Sequence, residues 1–125
     1  MKSQRGDVVL VNYPFSEGQG AKVRPAFSMR PALVVQCDTN NRRLESTLVV
    51  QITSRIHLAR KEPTQMLIEV LTPAGRQSGL VNDSAVACEN IYTVRQTGII
   101  QTIGTLPEDV MRRVGECLKA SLDIE

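Results

Sequence analysis

Residues 32–53 decide the fold: Ala32-Leu33-Val34-Val35-Gln36-Cys37, a polar break at Asp38-Thr39-Asn40-Asn41, then Thr47-Leu48-Val49-Val50-Gln51-Ile52-Thr53. Both apolar runs are short, rich in β-branched residues and bounded by polar ones, which marks strands rather than helices. The break predicts a turn, because short polar side chains hydrogen-bond their own backbone there. Working outward, Asp7-Val8-Val9-Leu10-Val11-Asn12-Tyr13 is another strand, ended by Pro14. Met66-Leu67-Ile68-Glu69-Val70-Leu71 is a fourth, followed by a predicted turn at Thr72-Pro73-Ala74-Gly75. Alternation over Ser84–Val94 gives a fifth, and Ile99–Ile103 a short sixth. Ser16-Glu17-Gly18-Gln19-Gly20-Ala21-Lys22 is polar with two glycines and predicts a loop.

The period then changes. Val110, Val114, Cys117, Leu118 and Leu122 fall at helical spacing, and Thr105-Leu106-Pro107-Glu108 matches a capping box. The pattern predicts a helix over 106–122. Five or six short strands followed by one helix make a mainly β fold, a small curled sheet or barrel closed by a C-terminal helix. With 125 residues and no linker or low-complexity tract, residues 1–125 are expected to form a single domain.

Composition excludes several classes of function. Apolar residues make up 42% and charged residues 22%, a globular balance. The aromatics are Tyr13, Phe15, Phe27 and Tyr92, too few for a binder built on rows of stacking rings. The apolar runs are too short to span a membrane, and Met1-Lys2-Ser3-Gln4-Arg5 leads straight into a strand without an apolar leader. Cys37, Cys88 and Cys117 are odd in number and lack CxxC spacing, so they are expected to be buried thiols in a reducing cytoplasm. The net charge of +2 is unevenly spread. Residues 19–61 hold eight Lys/Arg against Asp38 and Glu45, whereas residues 62–125 hold five against nine acidic residues. This asymmetry fits either a basic face for a polyanion or solvated charge on loops.

The catalytic inventory is narrow. His57 is the one histidine, so a paired-histidine acid–base site is impossible. HExxH, GxSxG and P-loop patterns are absent, and Asp7, Glu17, Asp38 and Asp83 are scattered, which argues against a metal-dependent nuclease. Arginine and hydroxyl chemistry remain. Arg30 stands at the start of one strand, and Thr53 and Ser54 at the end of another, followed by Arg55. On neighbouring strands they would share a rim, where a guanidinium fork and a hydroxyl could hold phosphate oxygens. Spacing alone equally allows an arginine reaching for solvent and a threonine filling an edge position. Arg24-Pro25-Ala26 recurs as Arg30-Pro31-Ala32, a short repeat that coincidence or local duplication would also explain.

Arg5-Gly6-Asp7-Val8-Val9-Leu10-Val11, Pro14-Phe15-Ser16, Arg30-Pro31-Ala32-Leu33-Val34-Val35 and Val50-Gln51-Ile52-Thr53-Ser54 resemble the PemK/MazF family. So does the later order Gly79-Leu80, Asp83-Ser84-Ala85-Val86, Ile91-Tyr92-Thr93-Val94, Ile103-Gly104-Thr105-Leu106 and a final helix. The resemblance implies a small SH3-like β-barrel, a homodimer, and the toxin of a type II toxin–antitoxin pair. It implies an endoribonuclease that cuts single-stranded mRNA without metal or other cofactor, by attack of the RNA's own 2′-hydroxyl. The ends left would be a 2′,3′-cyclic phosphate and a 5′-hydroxyl. Arg30 and Thr53 become the expected catalytic pair, with Lys22, Arg24, Ser54 and Arg55 as expected RNA contacts and Glu17 a candidate acidic assistant. A cognate acidic antitoxin is the expected protein partner, and DNA is touched only through it. The family usually carries one Arg-Pro-Ala before its apolar strand. Here the apolar run follows only the second copy, so Arg30 is matched and Arg24 is auxiliary. Two other readings stay open: a same-fold toxin that binds a protein such as gyrase, and a degenerate member that binds without cutting.

Overall fold

A computed structural model describes residues 2–12 and 29–125. The expected contacts Lys22 and Arg24, the candidate Glu17 and the first Arg-Pro-Ala copy lie outside the described residues. The strands are β1 (Asp7–Asn12), β2 (Met29–Val34), β3 (Ser46–Thr53), β4 (Gln65–Ile68), β5 (Ser84–Arg95) and β6 (Ile99–Thr105). The helices are α1 (Asp38–Arg43), α2 (Pro73–Ser78) and α3 (Glu108–Leu122). All strand pairs are antiparallel, in the order β4-β5-β3-β2-β1-β6. The edges, β4 and β6, do not pair with one another, so the expected barrel is an open, barrel-like sheet.

Two irregularities bend this sheet. The β3–β5 register jumps from Val50↔Ile91 to Gln51↔Ala87, leaving Cys88, Glu89 and Asn90 without opposite residues. The β1–β6 register slips between Val8 and Val9 and again between Leu10 and Val11. Extra residues on one strand sharpen local twist, which lets a short sheet curl. Both faces are consequently buried. On one, Val8, Leu33, Val50, Ile52, Val86 and Cys88 pack with Val110, Met111 and Val114 of α3. On the other, Val9, Val11, Ala32, Val34 and Val49 gather, flanked by Tyr92, Val94 and Ile99.

Several boundaries differ from the sequence pattern. The turn predicted at Asp38–Asn41 is the start of α1. Its side chains are engaged with the rest of the fold as well as with one another. Asp38 accepts from the Arg5 amide at 2.7 Å, and fully buried Asn41 donates to the Gln36 carbonyl at 3.0 Å and accepts from Thr47 Oγ1 at 2.6 Å. The turn predicted at Thr72–Gly75 opens α2: Thr72 Oγ1 accepts from the Gly75 amide at 3.0 Å, Pro73 follows, and Gly79 ends the helix. Strand β4 stops at Ile68 because Asp83 takes the Val70 amide at 2.9 Å. The capping box before α3 does not form. Thr105 is still a strand residue paired with Asp7, and Pro107 holds the N-cap position without a side-chain bond. Glu108 and Asp109 instead set negative charge in the first turn, where the helix dipole favours it. Of the cysteines expected to be buried, Cys88 is buried and Cys117 half-buried, but Cys37 is exposed.

Helix α2 sits directly on β6, and two glycines allow it. A Cβ on Gly79 would fall 2.0 Å from the Ile103 carbonyl oxygen, and one on Gly104 would fall 2.3 Å from that of Ser78. Gly79 also holds φ +77°, which favours glycine. Gly79→Ala is therefore expected to destabilise the fold by about 2 kcal/mol or more, read as a lower urea midpoint at unchanged slope. A second expectation concerns alkali. Burial, then the nearby Cys117 and Glu89, push the Cys88 thiol up to about 12, against 9.0 when exposed. The fold therefore favours the protonated thiol. That contribution is complete below pH 9 and is lost as pH rises toward 12, where the native state retains a proton the unfolded chain has released. Cys88→Ala should flatten the stability profile between pH 9 and 12, measured by denaturant titration at each pH.

Candidate active site

Alternation along the two central strands defines the site. On β3, Val50 and Ile52 face α3, so Val49, Gln51 and Thr53 face the other way. On β2, Leu33 faces α3, and Arg30, Ala32 and Val34 share the opposite face. The β2–β3 register runs Val34↔Val49, Leu33↔Val50, Ala32↔Gln51. Continued two further steps, beyond the last paired positions, that register would set Arg30 across from Thr53 on the same face. Strands β2 and β3 are thus neighbours, and Arg30 and Thr53 stand at one end of their junction.

Pro31 shapes this end. It has no N–H to give, and the β2–β3 ladder stops beside it at Ala32↔Gln51. On the other side, β2 stays paired with β1 through Val11↔Arg30 and Asn12↔Met29. The Arg30 backbone is therefore held by sheet pairing while its side chain is exposed. Thr53 is half-buried, and its Oγ1 accepts from the Arg55 amide at 3.1 Å. That bond occupies a lone pair and leaves the hydroxyl hydrogen free to donate. Ser54 and Arg55 follow immediately and are exposed.

Other candidate groups lie elsewhere. His57 is exposed in the turn beyond Arg55. Asp7, whose carboxyl is raised above 3.8 by burial, against the opposing pull of the Gln4 amide and with a further push from Asp38, pairs with Thr105 at the opposite end of β1 from Val11. Burial likewise raises the Cys117 thiol. With Cys88 it lies on the α3 side of the sheet, so neither is a ready thiolate beside Arg30. Among the described residues, no group of three or more His, Cys, Asp or Glu could hold a metal ion, and no helix is long and apolar enough to cross a membrane. What the sheet end can do chemically is bind an anion and donate hydrogen bonds to it. Sequence reading did not single out Gln51 and Asn90, which are hydrogen-bonded beside this pair at 2.8 Å. The only hint was a polar residue, Gln51, inside an apolar strand.

A family model for PemK-like, MazF-like toxins of type II toxin–antitoxin systems matches residues 4–122. Endoribonuclease EndoA of Bacillus subtilis (strain 168) is 33% identical over 94 residues, 75% of this chain and 76% of that protein. Two solved structures share the fold. One is an endoribonuclease in complex with its cognate antitoxin from a mycobacterial species, with TM-score 0.73 and 19% identity over 98% of this chain and 97% of that one. The other is MazE–MazF from Deinococcus radiodurans, with TM-score 0.69 and 20% identity over the whole of both chains. The match over residues 4–122 spans nearly the entire sequence, and the chain belongs to the PemK-like, MazF-like toxins of type II toxin–antitoxin systems.

Proposed function

We propose that this chain is an endoribonuclease that cuts single-stranded mRNA without a metal ion, using Arg30 and Thr53. The observation that carries the reading is their place on one sheet face at one end of the β2–β3 junction. The 33% identity to an endoribonuclease supports it. In the reaction, the 2′-oxygen bonds to the adjacent phosphorus and releases its proton, while the bond from phosphorus to the 5′-oxygen breaks and that oxygen takes up a proton. The products are a 2′,3′-cyclic phosphate and a 5′-hydroxyl end. Charge builds on the non-bridging oxygens along the way. The Arg30 guanidinium faces that charge with two parallel N–H donors, and the Thr53 hydroxyl donates to another oxygen. An arginine holds its proton too tightly to be a ready acid, so its main contribution is electrostatic. Ser54 and Arg55 extend the site toward the flanking phosphates, and Lys22 and Arg24 add positive charge.

Removing a donor fixed in place before reaction costs on the order of 3–4 kcal/mol in the barrier. Arg30→Ala should therefore slow single-turnover cleavage roughly 100- to 1000-fold at saturating RNA, and Thr53→Val roughly 10-fold. Cleavage should persist in the presence of a chelator. Activity that vanishes on chelation and returns with added metal would refute the mechanism, and an Arg30→Ala enzyme of normal rate would refute the assignment.

The same reading makes the working unit a homodimer, held in an inactive state by an acidic, partly disordered antitoxin segment that covers the basic region and alone contacts DNA. Exposed Met29 and Ile100 leave apolar surface on the strands for such contacts. Sedimentation at micromolar concentration should show a dimer. Antitoxin affinity should fall as salt rises, because exposed charge pairs are screened. A strict monomer, or salt-independent binding that leaves cleavage untouched, would count against this assembly.

A further inference from the structure

The face that bears Arg30 and Thr53 carries a second polar element. Gln51 lies two residues before Thr53, about 7 Å along the strand and on the same face. It stands directly opposite Ala32, whose small side chain leaves it uncovered from β2. On its other side the sheet is interrupted. The three unpaired residues of β5 end at Asn90, and Asn90 Nδ2 donates to Gln51 Oε1 at 2.8 Å. Both side chains are half-buried.

This single bond leaves a defined remainder. Gln51 Nε2 keeps its hydrogens, and Asn90 Oδ1 keeps its lone pairs; neither has a partner among the described residues. Neither belongs to the buried unpartnered atoms, which among the described residues comprise Gln65 Oε1 alone. A donor and an acceptor thus stand side by side, each oriented by the bond that joins their amides. Single-stranded RNA offers the complement, because an unstacked base displays adjacent donors and acceptors on its Watson–Crick edge. The distance from Thr53 is that between neighbouring same-face positions, which suits the base next to the phosphate held there.

We propose that Gln51 and Asn90 form a base-reading element that hydrogen-bonds the Watson–Crick edge of the nucleotide beside the cleaved phosphate and so sets sequence preference. The inference rests on the ribonuclease reading above. The β5 bulge is then the device that brings Asn90 beside Gln51, whose ladder partner on β5 is Ala87.

The experiment is cleavage of an RNA pool randomised on both sides of the cut, with kcat/KM resolved by sequence for wild type and for Gln51→Ala, Asn90→Ala and Gln51→Glu. Wild type should prefer one base, or one pair of bases, at a single flanking position. The alanine variants should lose that preference by roughly 5- to 100-fold while retaining the rate on non-preferred bases, since one bidentate contact is worth that much discrimination. Gln51→Glu keeps the side-chain shape but replaces the donor with an acceptor, so it should change which base is preferred. It also serves if an alanine variant fails to fold. Preference unchanged in folded variants, or a uniform loss of rate over all sequences, would overturn the inference and leave the ribonuclease reading standing. Wild-type protein that cuts no RNA would overturn the ribonuclease reading, and this inference with it.

Discussion

The pairing of β2 with β3 governs the rest of the molecule, because both faces of this pair are buried. Leu33, Val50 and Ile52 enter the core under α3, while Ala32, Val34 and Val49 enter the core on the far side. Side chains on a strand alternate with period two, so a slip of one residue would exchange the two sets. It would also drive Gln51 and Thr53 beneath α3. The two apolar cores therefore fix the polar face as firmly as they fix themselves. The face that carries Arg30 and Thr53 is a by-product of packing fully buried Val34 beside fully buried Val49.

This arrangement separates two tasks among the basic residues. Arg30 has its backbone paired to Val11 and its side chain in solvent, so it combines a fixed origin with an exposed charge. Arg55 extends from the chain just past β3, and its amide is used to orient the Thr53 hydroxyl. Arg60 faces Glu69 at 3.8 Å, an exposed pair that partly cancels the local positive field and adds little stability. A uniform count of positive charge over residues 19–61 conceals these differences.

Much of this was legible in the chain, for identifiable reasons. The strands announce themselves through short apolar runs, several of them β-branched, or through alternation, and α3 through the spacing of Val110, Val114 and Leu118. Helices α1 and α2 were hidden because each is short and nearly devoid of apolar residues, so neither carries a periodic signal. Their cues lay in punctuation instead: Thr72-Pro73 before α2 and Gly79 after it, and for α1 a buried asparagine that bonds Gln36 before the helix and Thr47 after it. At the site, Arg30 and Thr53 could be named, but their opposition depends on a register that no single residue encodes. Gln51 and Asn90 were out of reach, because the bulge that brings them together exists only once β3 and β5 are paired.

The position of β1 carries a consequence for the order of assembly. It lies between β2 and β6, so residue 7 pairs with residue 105 near the other end of the chain. Contacts so distant in sequence form late, since the entropy of closing the intervening loop must be overcome first. During synthesis β1 and β2 can meet early, but the outer edge of β1 remains bare until β6 has been made. The strand that supports Arg30 is therefore covered on its outer edge only once residues 99–105 have been made.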